Sequence, residues 1–356
     1  MTNRTLRLAT RTSIAALTAL AVSVPFAVAP AFADGELNLY SSRHYDTDER
    51  LYSDFEEMTG ITINRIEASA DELIQRMDSE GANSPADVLM TVDAGRLYRA
   101  DELGLFQPYE SSDLESRVPS YLRHPDGHWY GFSQRARVIF YDKNEVENPP
   151  ATYQDLADPQ YEGMVCARSS GNIYMLSLMA GLIEHLGEDA AEEWAAAFYG
   201  NMAREPEGND TAQIRALLSG ECDIVVGNTY YFGRILRRLA EGNPVEGFED
   251  QEMIDQIGWV FPNQEDIGTH VNISGAGIAA NAPNPDNAAL FLEYLASDQA
   301  QEYFSAGNDE YPAVMGTALS PSVASLGLFR QDTQNLSVLG ENQALAQEIY
   351  NRVGYP

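Results

Sequence analysis

Four tyrosines stand at three corners of the chain where an apolar segment gives way to a helical pattern. They are Tyr45, Tyr174 and the adjacent pair Tyr230 and Tyr231. With 19 tyrosines in 356 residues an adjacent pair is expected by chance, so its position matters more than its existence. In open α/β sheets, ligands bind at the carboxyl ends of strands, where helix N-termini favour anions such as a phenolate. Phenols that converge at such a corner could bind a hard, highly charged cation.

The identity of such a cation follows from the acidity of phenols. A tyrosine has a pKa near ~10, so a strong Lewis acid is needed to ionise it at neutral pH. Ferric iron does so and prefers hard anionic oxygen ligands, whereas softer metals would call for His or Cys. A tyrosine near a strand end is otherwise usually a half-buried packing residue with a hydrogen-bonded hydroxyl. The pattern alone leaves both interpretations open.

The segments around these corners alternate apolar runs with helical periodicity, which predicts an α/β fold. Ser69 and Glu72 form a capping box at one helix start, and Gly60 marks a helix end. Strands are predicted over 36–42, 61–68, 86–92, 163–167 and 222–228, and helices over 47–60, from 69, over 174–187 and from 234. The inward faces of the first two helices should carry Leu51, Phe55, Met58, Leu73, Ile74 and Met77.

The two cysteines repeat the spacing of the corners. Cys166 lies eight residues before Tyr174, and Cys222 lies eight residues before Tyr230. In an oxidising compartment an even pair of cysteines predicts a disulfide, which would join the two strands at matching heights. Two cysteines and five scattered histidines show none of the spacings typical of a zinc site.

The N-terminus has the pattern of a secretory signal. Arg4, Arg7 and Arg11 precede an uncharged apolar stretch over 13–28, and a small-x-small site predicts cleavage after Ala33. No cysteine follows that site, so no lipid anchor is expected, and no later run is long enough to span a membrane. We therefore expect a periplasmic protein exported by the general secretory route.

The charge of the exported part is extreme. The signal segment contains three of the 22 basic residues and no acid, which leaves 19 basic and 54 acidic residues, a net charge of −35. Such a surface repels nucleic acid and anionic lipid, so neither is expected as a partner. It would also favour cations, although adaptation to high salt explains the same composition. About 320 residues exceed what one core usually serves, which favours two lobes.

Several segments carry a resemblance to a known family. They include "LYSSRHYDTDERLYSDFEEMTGI", "GHWYGFSQRARVIFYDK", "YEGMVCARSSGNIYMLSLMA", "CDIVVGNTYYFGR" and "NPDNAALFLEYLASDQAQEYF". The chain resembles the periplasmic ferric-iron-binding proteins of bacterial ABC importers, within the family 1 extracellular solute-binding proteins. The tyrosine-rich cyanobacterial type is the most similar.

The resemblance implies a fold, a function and a set of iron ligands. The fold would be an α/β two-lobed clamshell of type II, in which each lobe is a mixed sheet flanked by helices and two strands form the hinge. Lobe 1 would comprise 34–134 plus about 267–310, and lobe 2 would comprise 135–266 plus about 311–356. The protein would be a monomeric, non-enzymatic binder that delivers ferric iron to an inner-membrane permease. Its ligands would be Tyr45 from lobe 1 and Tyr174, Tyr230 and Tyr231 from lobe 2.

The resemblance leaves further residues of the site open. An arginine of "SQRAR" supports the phenolates in such proteins; Arg135 is favoured over Arg137, and both could instead be surface or hinge residues. His44 is a ligand in some members, but neighbouring residues of an extended segment point in opposite directions, which favours no direct role beside Tyr45. A synergistic anion is possible at Ser169, Ser170 and Asn172, although a third phenolate from lobe 2 reduces the need for one.

Two other functions compete with ferric binding. The same clamshell could hold an organic or oxyanionic solute on which the tyrosines stack. A secreted metalloenzyme would need an open coordination position and a general base near the metal. His44 with Asp46 and Asp48 is the nearest approach to such a pair, and these two carboxylates are better explained as charges at a helix N-terminus.

Overall fold

The computed structural model describes residues 1–2, 35–43 and 45–356. The predicted signal segment beyond residue 2, its cleavage site after Ala33, and His44 therefore lie outside the described residues. Within the described ranges, no helix is both long and apolar enough to cross a membrane.

Strands and α-helices alternate strictly over residues 35–102, as the apolar pattern predicted, whereas beyond this range helices or strands also follow one another directly. The strands are β1 Gly35–Ser41, β2 Ile61–Glu67, β3 Val88–Val92, β4 Tyr130–Asp142, β5 Val165–Cys166, β6 Ile224–Asn228, β7 Ile257–Val260, β8 Val271–Ile278 and β9 Tyr311–Pro312. The helices are α1 Glu49–Thr59, α2 Ala70–Glu80, α3 Ala94–Glu102, α4 Ser112–Arg117, α5 Ile173–Leu186, α6 Glu188–Gly200, α7 Asp210–Ser219, α8 Thr229–Ala240, α9 Gln251–Asp255, α10 Pro285–Leu295, α11 Asp298–Asn308, α12 Pro321–Leu326, α13 Val338–Glu341 and α14 Gln343–Val353.

The long strand β4 joins two sheets. Its first half pairs with β8 and β9 in a sheet of order β2-β1-β3-β8-β4, and its second half pairs with β6 and β7 in the other sheet. The pairs of β1 with β2 and β3, and of β5 with β6, are parallel, whereas those of β4 are antiparallel. Both sheets are therefore mixed, as predicted. The chain passes from the first sheet to the second within β4 and returns between β7 and β8; we call these two passages the crossings. The predicted lobe boundaries near 134 and 267 lie close to the crossings, and the boundaries themselves stay a prediction.

The first helices show how well the periodicity predicted the core. Leu51 and Phe55 are fully buried, but Met58 is 52% exposed, so its predicted inward position is wrong. Met58 lies in the last turn of α1, and Tyr52 instead completes the buried face by packing against Phe291 of α10. The capping box at the start of α2 is confirmed, and all three predicted core residues of that helix are buried.

The predicted disulfide is confirmed. Cys166 and Cys222 are bonded, with their Cα atoms 6.0 Å apart. The strand register pairs Cys166 with Val225, so Cys222 lies three residues upstream of the residue opposite Cys166. The prediction of matching heights is therefore wrong, because equal spacing to the two tyrosines does not fix the register of the strands.

Candidate metal centre

The tyrosine pair lies in the first turn of α8. The helix begins at Thr229, immediately after β6 ends, and not at Arg234 as predicted. Every residue of β6 is buried, so the strand anchors the start of the helix in the core. The rings of Tyr230 and Tyr231 lie 4.2 Å apart between centroids at an angle of 30°. Tyr230 is 3% exposed, and Tyr231 is half-buried.

Tyr174 meets this pair from the neighbouring corner. It is the second residue of α5, and the side chain of Asn172 caps that helix by accepting a hydrogen bond from the Tyr174 N–H at 3.2 Å. Because β5 and β6 are parallel neighbours, the helices that follow them start at the same edge of the sheet. The hydroxyl oxygens of Tyr174 and Tyr230 are consequently only 3.3 Å apart.

Tyr45 approaches from the other sheet. It lies four residues after the end of β1, is half-buried, and has the guanidinium carbon of Arg43 5.0 Å from its ring centroid. All four tyrosines line one cleft of about 660 Å³. The other described lining residues are Ser42, Glu67, Ala68, Ser69, Ala70, Val92, Arg96 and Arg234. The structure thus brings together the four residues predicted as ligands.

The phenols influence one another electrostatically, as expected for groups that converge. Burial raises the pKa of Tyr230 well above its usual value, and Tyr174, Tyr231 and Tyr45 add to this effect. Burial, followed by Asp210 and Tyr174, raises the pKa of Tyr231 to about 12. Burial also raises the pKa of Tyr45, and Arg135 opposes the rise. The environment of Tyr45, Tyr230 and Tyr231 therefore favours the neutral form of each phenol.

Both candidate arginines are buried and lie beside the phenols. The guanidinium carbon of Arg135 is 5.7 Å from the ring centroid of Tyr230, and that of Arg137 is 5.9 Å from the ring centroid of Tyr174. Each is about 1% exposed, so neither is a surface residue. Burial disfavours the charge of Arg135, but Glu310 and the phenols more than offset this and raise its pKa.

The sequence shows the family to which this arrangement belongs. Residues 83–330, more than half of the chain, match the sequence model described as bacterial extracellular solute-binding protein. The chain belongs to this family of solute-binding proteins. The predicted resemblance is thereby confirmed, and with it the two-lobed α/β fold class.

Three similar proteins place the chain more narrowly within the solute-binding proteins. Iron uptake protein A1 of Synechocystis is 51% identical over 321 residues, which cover 90% of this chain and 87% of that protein. A Trichodesmium protein solved in complex with iron and citrate ligands superposes with a TM-score of 0.85 at 51% identity, over 90% of this chain and 100% of its own. The ferric binding protein from Campylobacter jejuni superposes with a TM-score of 0.81 at 37% identity, over 90% and 100%.

The sequence did not reveal two charged groups beneath the cleft of this solute-binding protein. Arg43 is 1% exposed and donates from Nε to Asp48 Oδ2 at 2.9 Å and from Nη1 to Glu310 Oε2 at 3.1 Å. Glu310 also accepts from Arg135 Nη2 at 3.0 Å, and these two cations lower its pKa against the opposing effect of burial. The position of Arg43 at the end of the apolar strand β1 was a sequence signal that could have marked it as a functional residue. The sequence around Glu310 contains no comparable signal.

The residues predicted for a synergistic anion have other partners. Asn172 caps α5, and the Ser170 N–H donates to the carbonyl oxygen of Pro356 at 2.7 Å. Among the described residues that line the cleft, none is Ser169, Ser170 or Asn172. An anion at these three positions stays a prediction.

Two of the five histidines share one carboxylate, that of Asp101, away from the cleft. Asp101 contacts His128 Nδ1 at 2.5 Å and His124 Nε2 at 3.2 Å. The two imidazole rings are stacked at 4.6 Å and are parallel to within 2°. The potential ligand atoms of these three side chains lie within 4.8 Å of one another, and the observed contacts make the group a hydrogen-bonded cluster.

Proposed function

We propose that this chain is a periplasmic protein that captures ferric iron through the phenolates of Tyr45, Tyr174, Tyr230 and Tyr231. The observation that carries the proposal is the convergence of four tyrosines on one cleft, with two hydroxyl oxygens 3.3 Å apart. The similarity to proteins named for iron uptake and for ferric binding supports it.

The charges of the cleft suit this cargo. Three phenolates would neutralise Fe³⁺, and a fourth would leave the site negative. Arg135 and Arg137, which lie against the rings of Tyr230 and Tyr174, would reduce this excess. Because the pKa values of Tyr230 and Tyr231 are raised, a cation of weaker Lewis acidity would displace their protons less readily than ferric iron. The site thus selects for ferric iron by the cost of ionising its ligands.

The two crossings between the sheets suggest how the ion is enclosed. Tyr45 belongs to the proposed lobe 1 (34–134 plus about 267–310), and the other three tyrosines belong to the proposed lobe 2 (135–266 plus about 311–356). Movement of the lobes about the crossings would bury the ion between them. In the family context the closed, exported monomer would then release iron to an inner-membrane ABC permease.

Iron loading with a visible spectrum tests this function. Purified wild-type protein should bind ferric iron and show the absorption band of ferric phenolate, whereas a bound organic solute would give no such colour. Tyr161→Phe is a matched control, because Tyr161 is buried and donates to the carbonyl of Asn148 outside the cleft. A colourless protein without measurable ferric affinity would contradict the proposal.

A further inference from the structure

Three consecutive polar residues are buried where the chain leaves α11. Asn308 is 4% exposed, Asp309 is 0% exposed and Glu310 is 1% exposed. Burying an amide and two carboxylates is costly unless each one is hydrogen-bonded or paired. The partners of the three side chains therefore show which parts of the molecule this tripeptide holds together.

Asn308 holds the turn that follows Tyr45. Its Nδ2 donates to Asp48 Oδ1 at 2.8 Å, and its Oδ1 accepts from the Thr47 hydroxyl. Thr47 and Asp48 are the second and third residues after Tyr45. The position of the chain directly after Tyr45 thus depends on the end of α11.

Glu310 joins the two cations that lie against the tyrosine rings. Its Oε2 accepts from Arg43 Nη1 at 3.1 Å, and its Oε1 accepts from Arg135 Nη2 at 3.0 Å. Arg43 lies over the ring of Tyr45, and Arg135 lies over the ring of Tyr230. One carboxylate therefore fixes the cation beside Tyr45 and the cation beside Tyr230.

Asp309 holds the helix that carries the tyrosine pair. Its carboxylate accepts from Arg237 Nε at 3.1 Å and from Arg237 Nη2 at 3.0 Å. A Cβ atom on Gly233 would lie 3.0 Å from the Asp309 Cβ, so the backbone of α8 packs closely against Asp309 at this position. Gly233 and Arg237 follow Tyr230 by three and seven residues, which places all of them along one face of α8.

We propose that Asn308, Asp309 and Glu310 are positioning residues of the ferric site, which fasten the segment of Tyr45 and the helix of Tyr230 and Tyr231 to one buried frame. The inference rests on the proposed function. The three residues are adjacent, and β9 directly after them pairs with the crossing strand β4, so the contacts to the Tyr45 segment and to the Tyr230 helix meet beside a crossing about which the lobes would move. Closure would then bring the phenols together from two anchored segments, and a binding site works when its groups are held within about 0.5 Å of the productive geometry.

Charge-neutral variants of similar size test the two carboxylates. Asp309 has a φ of +59°, a conformation that Asn also tolerates, so Asp309→Asn keeps the backbone. Asp309→Asn and Glu310→Gln should each lower ferric affinity about tenfold, a size typical of coupled contacts, and should shift the visible band. Asp332→Asn is the matched control: Asp332 is 6% exposed and pairs with His185 at 2.6 Å, outside the cleft. It should lower thermal stability but leave affinity and band as in the wild type.

A double-mutant cycle separates positioning from general destabilisation. If Glu310 acts by placing Tyr45, its effect should largely disappear once the Tyr45 hydroxyl is gone. In a Tyr45→Phe background, Glu310→Gln should therefore lower ferric affinity by less than about threefold. The proposal would be overturned if the losses of ferric affinity in the cycle were fully additive. It would also be overturned if both carboxylate variants kept the affinity and the visible band of the wild type. Should Asp309→Asn fail to fold, Arg237→Gln removes the same contact at a side chain that is 24% exposed. A wild-type protein that takes up no ferric iron would contradict the proposed function itself, whereas an iron-binding wild type with unaffected variants would contradict the positioning role alone.

Discussion

The two sides of the cleft are built differently. Tyr174, Tyr230 and Tyr231 lie in the first turns of two helices whose preceding strands are paired in one sheet and joined by a disulfide. Tyr45 lies between β1 and a short turn, and long-range contacts of Arg43 and Asn308 hold its segment. The difference suggests that one side is a preformed capture surface, whereas the other side completes the site.

We expect the two sides of the cleft to contribute different parts of the free energy of iron binding. Three phenols on one side could hold ferric iron while the cleft is open. Tyr45 would reach the ion after closure, so its interaction with the closed form alone would supply part of the free energy of closure. Substitutions on the two sides should therefore differ in kind as well as in size.

Loss of a phenol from the capture side should have the largest effect. Tyr230→Phe and Tyr231→Phe each remove one ionisable oxygen and keep the ring packing, so ferric affinity should fall at least about 100-fold, the upper range seen for residues that only support a metal ligand. Competition with a chelator and the position of the visible band measure this loss. Two variants with wild-type affinity and colour would show that the pair only packs the core.

Tyr45→Phe should have the next largest effect. Its ferric complex should remain coloured but be roughly ten- to 100-fold weaker, because the capture side is intact while closure loses its driving contact. Tyr174→Phe should instead slow the initial capture. Stopped-flow measurement of colour development distinguishes the two, and equal capture rates in both variants would contradict the division between the sides.

Acid and alkali should act on different forms of the protein. The proposed phenolate ligands must be deprotonated to bind iron, so we expect the ferric complex to lose colour as the pH falls. In the iron-free protein, burial raises the pKa of Tyr231 from ~10 to about 12, which means that the folded state favours the neutral phenol. That stability is fully present below pH ~10 and is lost as the pH rises toward 12. Thermal melting of the iron-free protein against pH measures the second effect, and stability that is unchanged between pH ~9 and ~12 would contradict it.

The disulfide should affect the fold more than the site. The bond spans 56 positions of sequence, for which chain-entropy models give about 4 kcal/mol of stability. Cys166→Ser with Cys222→Ser should lower the midpoint of urea unfolding but change ferric affinity less than about threefold, because the two corners are also joined by the β5–β6 pairing. Intact mass before and after reduction and alkylation verifies the bond, and free thiols in protein from the periplasm would contradict it.

The sequence predicted what depends on local patterns and missed what depends on distant pairing. Corners at the ends of apolar strands and the capping box at Ser69 are local, and both were correct. The contact of Arg43 with Glu310 joins residues 267 positions apart, and charged side chains are normally exposed. The hydrophobic periodicity of the sequence therefore could not predict this contact. The start of α8 was missed because Asn228 both ends β6 and occupies the N-cap position of α8, with no intervening turn residues and no capping hydrogen bond from its side chain.

Small-angle scattering of wild type and Tyr45→Phe, each with and without saturating ferric iron, tests the central claim most directly. The wild type should become more compact on binding iron, because the proposed contact of Tyr45 with the ion forms only in the closed form. Tyr45→Phe should bind iron, as its colour reports, and yet remain more expanded than the iron-bound wild type. If Tyr45→Phe compacts as fully as the wild type and with unchanged affinity, Tyr45 does not complete the site and the account of the two sides is wrong.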